Sequence, residues 1–318
     1  MQFRVHRPPF DFRALPGTNG LMKNCVGPSP ARQPATAAVS AISPVRMIAL
    51  DLDGTLLRTD KSVGPETVKA LQAAQAQGVE LVLASGRMAA SIERVGACLG
   101  VDACLISCNG AVVHGRAQGT GTPQNGRKLI FYQPLDAEVA RELVAFGKAR
   151  RYQVNFYHGD SIYSEDGPHL RPWIEIYRSR TNSPYTFVEN LDEYLHLAPP
   201  KVIFVVDPKI RGAIQEELTP KFGPRVNMMR TDPEYLEFLK PGIDKGVGLA
   251  RLAEALGIPL SQVMAIGDGE NDIPMLQVSG WPVAVANAGP LCRRVAKFFT
   301  TADNDHDAVA EAIQRWVL

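Results

Sequence analysis

The chain has 318 residues, a formal net charge of +1, 45% hydrophobic and 21% charged residues. That length suits about one to two domains of roughly 100–200 residues each, with enough apolar material for a core that needs no staples. The neutral balance gives no electrostatic case for nucleic acid, whose binding needs a basic face. No apolar run approaches the ~18 residues of a membrane helix. The five cysteines, Cys25, Cys98, Cys104, Cys108 and Cys292, include no C-x-x-C pair, so neither a disulfide framework nor a zinc site is indicated. Cys104 and Cys108 sit in or beside an apolar run and are expected as buried thiols.

Residues 1–45 carry Arg4, Arg7, Arg13, Lys23 and Arg32 against one acid, Asp11, and prolines at 8, 9, 16, 28, 30, 34 and 44. No helical or strand period survives that many breakers. A basic, acid-poor arm has the composition of an organelle transit peptide, with a chloroplast ahead of a mitochondrion as its destination. The alternatives are a disordered tail or a start codon set too early, and then a cytoplasmic protein. Met47-Ile-Ala-Leu50 reads as a buried strand ending at Asp51. Gly64-Pro-Glu66 opens a helix that Gly78 stops. A strand over 79–83, a helix from Met88 to Leu99 and a strand from Ala103 to Ile106 follow. Strands alternating with helices predict a doubly wound, Rossmann-like α/β core with a parallel sheet.

The pattern changes over residues 128–240, which read as an inserted α+β domain. Leu129 to Tyr132 is a strand and Glu138 to Arg150 a helix. Strands over 154–157 and 161–163 flank a hairpin turn at His158-Gly-Asp160. Val202 to Val206 is a strand, Lys209 to Phe222 a helix, and 226–229 pairs with 235–239. From 241 the first style returns. Lys245 to Leu256 is a helix, Val263 to Ile266 and Val283 to Ala286 are strands, and Asp307 to Trp316 is a terminal helix. The division is therefore arm 1–45, core 46–127, insert 128–240 and core 241–318.

Four places along this plan could carry chemistry. Asp51-Leu-Asp53-Gly-Thr55 follows the first strand, where open parallel sheets gather ligands. One carboxylate can attack phosphorus while the other handles the leaving-group proton. The alternative is an ordinary Asp/Gly turn. Gly267-Asp268-Gly-Glu-Asn271-Asp272 follows another strand. Carboxylates from two strand ends make an oxygen-rich pocket for a hard cation such as magnesium, although a capped helix start would use the same residues. Ser85-Gly86-Arg87 offers a hydroxyl, close backbone approach and helix N-terminal donors to a phosphate. Lys245 stands at a helix start, where a cation is unfavourable for the dipole, which suggests service to an anion.

These four segments, in this order, resemble the motifs of the haloacid dehalogenase-like hydrolase superfamily. The insert lies where that superfamily places its C2-type cap. Ser107-Cys-Asn109-Gly-Ala111 and the Lys-Gly at Lys245 are similar to the Cof-type phosphatase branch. The resemblance covers about residues 46–318. It implies Asp51 as nucleophile and magnesium ligand, and Asp53 as general acid and base whose backbone carbonyl also meets the metal. Asp268 would be the other carboxylate on Mg2+, and Asp272 would hold metal waters or Lys245. Ser85, Gly86, Lys245 and Asn271 would hold the phosphoryl group, and Asn109 would face the same pocket.

The implied activity is a phosphatase for a small phosphorylated metabolite, a sugar phosphate or a nucleotide or flavin phosphate. The partners expected are that metabolite, no nucleic acid and no membrane. A sugar phosphomutase, or a non-catalytic phosphometabolite sensor on the same scaffold, stand as alternatives. In the insert, His158, Asp160, Arg171, Trp173, Glu175, Arg178 and Arg230 are possible substrate-facing groups, most of them expected as solvated loop residues. The oligomeric state is not legible in the sequence.

Overall fold

The computed structural model describes residues 44–117 and 126–318. The arm read as a transit peptide, and Cys25 within it, lie outside the described residues. In chain order the first elements are β1 (Met47–Asp51), α1 (Pro65–Ala76), β2 (Glu80–Ala84), α2 (Ala89–Leu99), β3 (Cys104–Ser107), β4 (Val112–Ala117) and β5 (Arg127–Tyr132). Next come α3 (Ala137–Ala149), β6 (Gln153–His158), β7 (Ser161–Glu165), α4 (Arg171–Thr181), β8 (Tyr185–Val188), β9 (Val202–Val205), α5 (Pro208–Phe222), β10 (Asn227–Arg230) and β11 (Tyr235–Leu239). The chain closes with α6 (Lys245–Leu256), β12 (Val263–Gly267), α7 (Ile273–Val278), β13 (Trp281–Ala284), α8 (Pro290–Val295), β14 (Phe298–Phe299) and α9 (Ala308–Trp316).

The strands form two sheets. The larger runs β14-β13-β12-β1-β2-β3-β4-β5 and is parallel from β14 to β3. Its central strands are apolar on both faces: Met47, Ile48, Ala49 and Leu50 of β1 are fully buried, as are Val263 to Ile266 of β12. That is the signature of a parallel sheet covered by helices on each side. The register aligns Leu50 with both Leu83 and Ile266, so β1, β2 and β12 end together at one sheet edge.

The boundary expected at 128 is corrected by the pairing of β5. Val113 lies opposite Phe131 and Val112 opposite Tyr132, so residues 127–132 extend the first sheet as its antiparallel edge. Ile130 and Phe131 pack on the core cluster, and Phe131 also reaches the cluster between core and insert. The insert therefore starts beyond Tyr132.

The insert's own sheet runs β10-β11-β9-β6-β7-β8. Period-two alternation splits its side chains between faces. Val202, Phe204, Leu236 and Phe238 pack with Val139, Leu143 and Leu218 of α3 and α5. Ile203, Val205, Tyr235 and Leu239 take the other face, and pack with Tyr177 of α4 and with Met88, Cys108 and Ala111 of the core. Lys201 and Glu237 share that second parity. The pleat aims both at the core, and the hydrogen bonds below confirm it.

Candidate active site

The common strand edge brings the candidate residues together. Asp51 ends β1 and is buried. Lys245, the first residue of α6, is fully buried. Its ammonium donates to Asp51 Oδ1 and, at 2.6 Å, to Asp272 Oδ1. Full burial sets Lys245 apart from an ordinary solvated lysine. Burial works against the charge on Lys245, but Asp272 and Asp51 more than offset it and hold the lysine protonated.

Lys245 is held by Asp51 and by the fully buried Asp272. A single tight turn over 270–272 folds it back under the end of β12, and α7 starts only afterwards. Its Oδ2 accepts the backbone N–H of Asp268 at 3.0 Å and of Gly269 at 2.9 Å. With Oδ1 on Lys245, both oxygens are spent on holding the loop and the lysine.

Asp51, Asp268 and Asp272 each offer an oxygen within 4.8 Å of the others. Since Asp272 is committed, the pair that fits a hard cation is Asp51 and Asp268. Burial, and then the negative charge of Asp272, raise the pKa of both; that of Asp268 reaches about 6. Crowded carboxylates that resist ionisation alone are relieved by a divalent cation, and oxygen donors are what magnesium takes. Thr55 Oγ1 orients Asp268 through Oδ1 at 2.8 Å. Gly54, at φ +84°, gives Asp268 its room: a Cβ there would lie 2.6 Å from Asp268 Oδ2. The residues present therefore fit a magnesium ion.

Asp53 sits differently, with its side chain 39% exposed and held by two cations. Arg87 Nε donates to Oδ2 at 2.8 Å, Arg87 Nη2 to Oδ1, and Lys61 Nζ to Oδ1 at 2.8 Å. Burial alone would raise this carboxyl, but Arg87 and Lys61 bring it below the ordinary value. Ser85 follows β2 and is buried, and its Oγ accepts the Arg87 N–H at 3.2 Å. Asn109, fully buried in a left-handed turn at φ 51°, accepts at Oδ1 from Asn271 Nδ2 at 3.2 Å. Gly110 beside it touches the Lys245 turn, since a Cβ there would fall 1.9 Å from the Asp244 carbonyl oxygen. Close packing of this turn thus sets the depth of Lys245.

These residues floor a cavity of about 220 Å³ that includes Asp51, Asp53, Ser85, Gly86, Asp268 and Asn271. The insert supplies the roof with Tyr177, Thr181, Thr231, Asp232, Tyr235 and Glu237. None of the insert residues singled out in the sequence lines it. Arg171 pairs with Asp166 and Arg178 with Glu175 at the surface, and Arg230 donates to Gln215.

Sequence reading missed Lys201 and Glu237. They form a buried ion pair at 2.9 Å, with Lys201 fully buried and Glu237 3% exposed. Lys201 Nζ also donates to the Gly86 carbonyl, and Glu237 Oε2 accepts Asn109 Nδ2 at 2.7 Å. Thr231 closes the set on Glu237 Oε1 at 2.7 Å. The available signal was a charge inside otherwise apolar strands, in Lys201-Val-Ile-Phe-Val205 and in Tyr235-Leu-Glu-Phe-Leu239. Buried charges of that kind are kept only when paired.

A sequence model of the haloacid dehalogenase-like hydrolases matches residues 48–313. Phosphatase YwpJ of Bacillus subtilis is 26% identical over 284 residues, covering 82% of this chain and 96% of its own. The 5-amino-6-(5-phospho-D-ribitylamino)uracil phosphatase YcsE of the same organism is 27% identical, covering 86% and 96%. The crystal structure of a haloacid dehalogenase-like hydrolase from Bacteroides thetaiotaomicron is similar at a TM-score of 0.75 and 29% identity, over 85% of this chain and 99% of that one. With the ordered motifs and the insert in place, the chain belongs to the haloacid dehalogenase-like hydrolase family.

Proposed function

We propose that the protein hydrolyses the phosphomonoester of a small metabolite through a phosphoryl group carried on Asp51. The observation that carries this reading is the Asp51 carboxylate. It lines the cavity beside Asp268, with one oxygen fixed by a buried, protonated Lys245. Asp51 attacks phosphorus and the bond to the leaving oxygen breaks, while Asp53, which takes up a proton before this step, delivers it to that oxygen. Asp53 then takes a proton from a water, the water attacks phosphorus, and inorganic phosphate and free Asp51 result. Lys245, Ser85, Asn271 and the backbone donors around Gly86 hold the phosphoryl oxygens in place. Asp51, the Asp53 carbonyl and Asp268 would hold Mg2+, which supplies charge neutralisation to the transferring group.

The small roofed cavity supports a small substrate, because closure over it excludes water. Hydroxyls of Thr231 and Tyr235 with the acid of Asp232 suit a hydroxylated leaving group, so a sugar or polyol phosphate is favoured over a larger nucleotide. That a relative is named for a phosphate on a ribityl chain supports the same class. For the arm we retain the reading as a plastid transit peptide, supported by its basic, acid-poor composition.

Asp51→Asn tests the chemistry. The amide keeps the shape but cannot become an acyl phosphate, so D51N is expected to release no phosphate while its circular dichroism matches wild type. Residual turnover in folded D51N, free of contaminants, would remove Asp51 as nucleophile.

A further inference from the structure

The last carbonyls of α4 are docked on the core by one face of α2. Ser91 and Arg94, three residues apart, lie on one side of α2, and Arg87 stands two residues before its first turn. Arg87 Nη2 donates to the Arg180 carbonyl at 3.0 Å, Ser91 Oγ to that of Thr181 at 2.6 Å, and Arg94 Nη1 to that of Asn182. Asn182 closes α4 in the left-handed conformation at φ 47°. Helix C-terminal carbonyls lack partners within their own helix and carry the negative end of the dipole. Two guanidinium groups and a hydroxyl meet that need across the boundary between core and insert.

Arg87 alone among the three also grips Asp53, through the fork described above, with its side chain only 9% exposed. A planar guanidinium that serves two partners fixes both directions at once. Lys61, the other cation on Asp53, is 46% exposed and has no such second tie to the insert among the described residues.

We propose that Arg87 is a positioning residue that ties the docking of α4 to the placement of the Asp53 carboxylate. With the insert docked, Arg87 is fixed by the Arg180 carbonyl and holds Asp53 at the edge of the cavity. With the insert lifted, Arg87 loses that anchor and Asp53 loses its orientation. The inference rests on the phosphatase reading, in which Asp53 protonates the leaving oxygen.

The test is leaving-group dependence, since 4-nitrophenolate departs as its anion whereas phenolate needs the proton more. Turnover of phenyl phosphate and 4-nitrophenyl phosphate is compared, with Mg2+, for wild type, R87Q, S91A, D53N and R87Q/D53N. R87Q should slow phenyl phosphate on the order of 10²-fold but 4-nitrophenyl phosphate less than about threefold, within the range of general acid help. In the D53N background, R87Q should add no further loss on phenyl phosphate. S91A loosens the dock without touching Asp53 and should shift the ratio of the two rates in the same direction by less.

Equal losses on both esters, or full additivity with D53N, would reduce Arg87 to a structural residue and overturn the proposal. An S91A ratio equal to wild type would overturn the tie to the insert. If R87Q does not fold, R87K carries the same comparison, because it keeps the charge but not the fork. Wild type that releases phosphate from neither ester nor from any sugar or polyol phosphate would overturn the phosphatase reading itself, a result distinct from a flat ratio.

Discussion

At the scale of single residues, charge placement decides the site. Lys245 is fully buried between Asp51 and Asp272, and only the match of its charge with theirs makes that burial tolerable. Removing it strands two carboxylates. Lys245→Met is therefore expected to lower unfolding stability by about 3–5 kcal/mol in magnesium-free buffer, read from urea denaturation. A loss under about 1 kcal/mol would contradict the pairing. Asp268 gives a pH prediction. Burial and Asp272 raise its pKa to about 6, so the folded protein holds that proton more tightly than the unfolded chain does. The resulting stabilisation is complete below the ordinary carboxylate range and is lost as pH rises through about 6. Magnesium must displace the same proton, so the Tm increase it gives should be larger at about pH 7.5 than at about pH 5.5. An equal or reversed increase would remove Asp268 from the metal site. That Asp51, Lys245 and Asp268 meet at one place was legible because they sit at strand and helix ends inside recognisable motifs. The orientation of Asp272, folded back onto two backbone N–H groups, was not.

At the scale of elements, the insert's sheet places one paired charge against the loop that carries Gly86. Lys201, just before β9, and Glu237 of β11 share the core-facing parity, and the register of β11 on β9 sets Glu237 opposite Ile203. Lys201→Met alone should cost about 3–5 kcal/mol, because Glu237 then stays buried without its cation. K201M/E237Q should recover part of that loss in the same urea titration, and no recovery would contradict the charge account. Strong periodic elements such as α3, α5, α6 and β9 were legible from their apolar spacing. α4 was not, because it buries only Ile174, Tyr177 and Thr181 along a stretch of Arg, Glu and Ser. β5 was legible as a strand but not as part of the first sheet. Its partner β4 had gone unread, and pairing decides to which sheet a strand belongs.

At the scale of the whole molecule, the two parts divide the work. Order of motifs made the core legible, since parallel strand ends must converge at one edge and β1, β2 and β12 do. The roof was not legible, because Tyr177, Thr231, Asp232 and Tyr235 come together only through the insert's pleat and its docking on α2. Their types are ordinary and their spacing forms no motif. The most direct test of the central claim is phosphate release by the purified full chain from a panel of sugar, polyol, nucleotide and flavin monophosphates, with Mg2+ and with EDTA. The account predicts release that needs Mg2+ and favours one or a few sugar or polyol phosphates. Folded protein that releases phosphate from none of them, or releases it equally in EDTA, would contradict it.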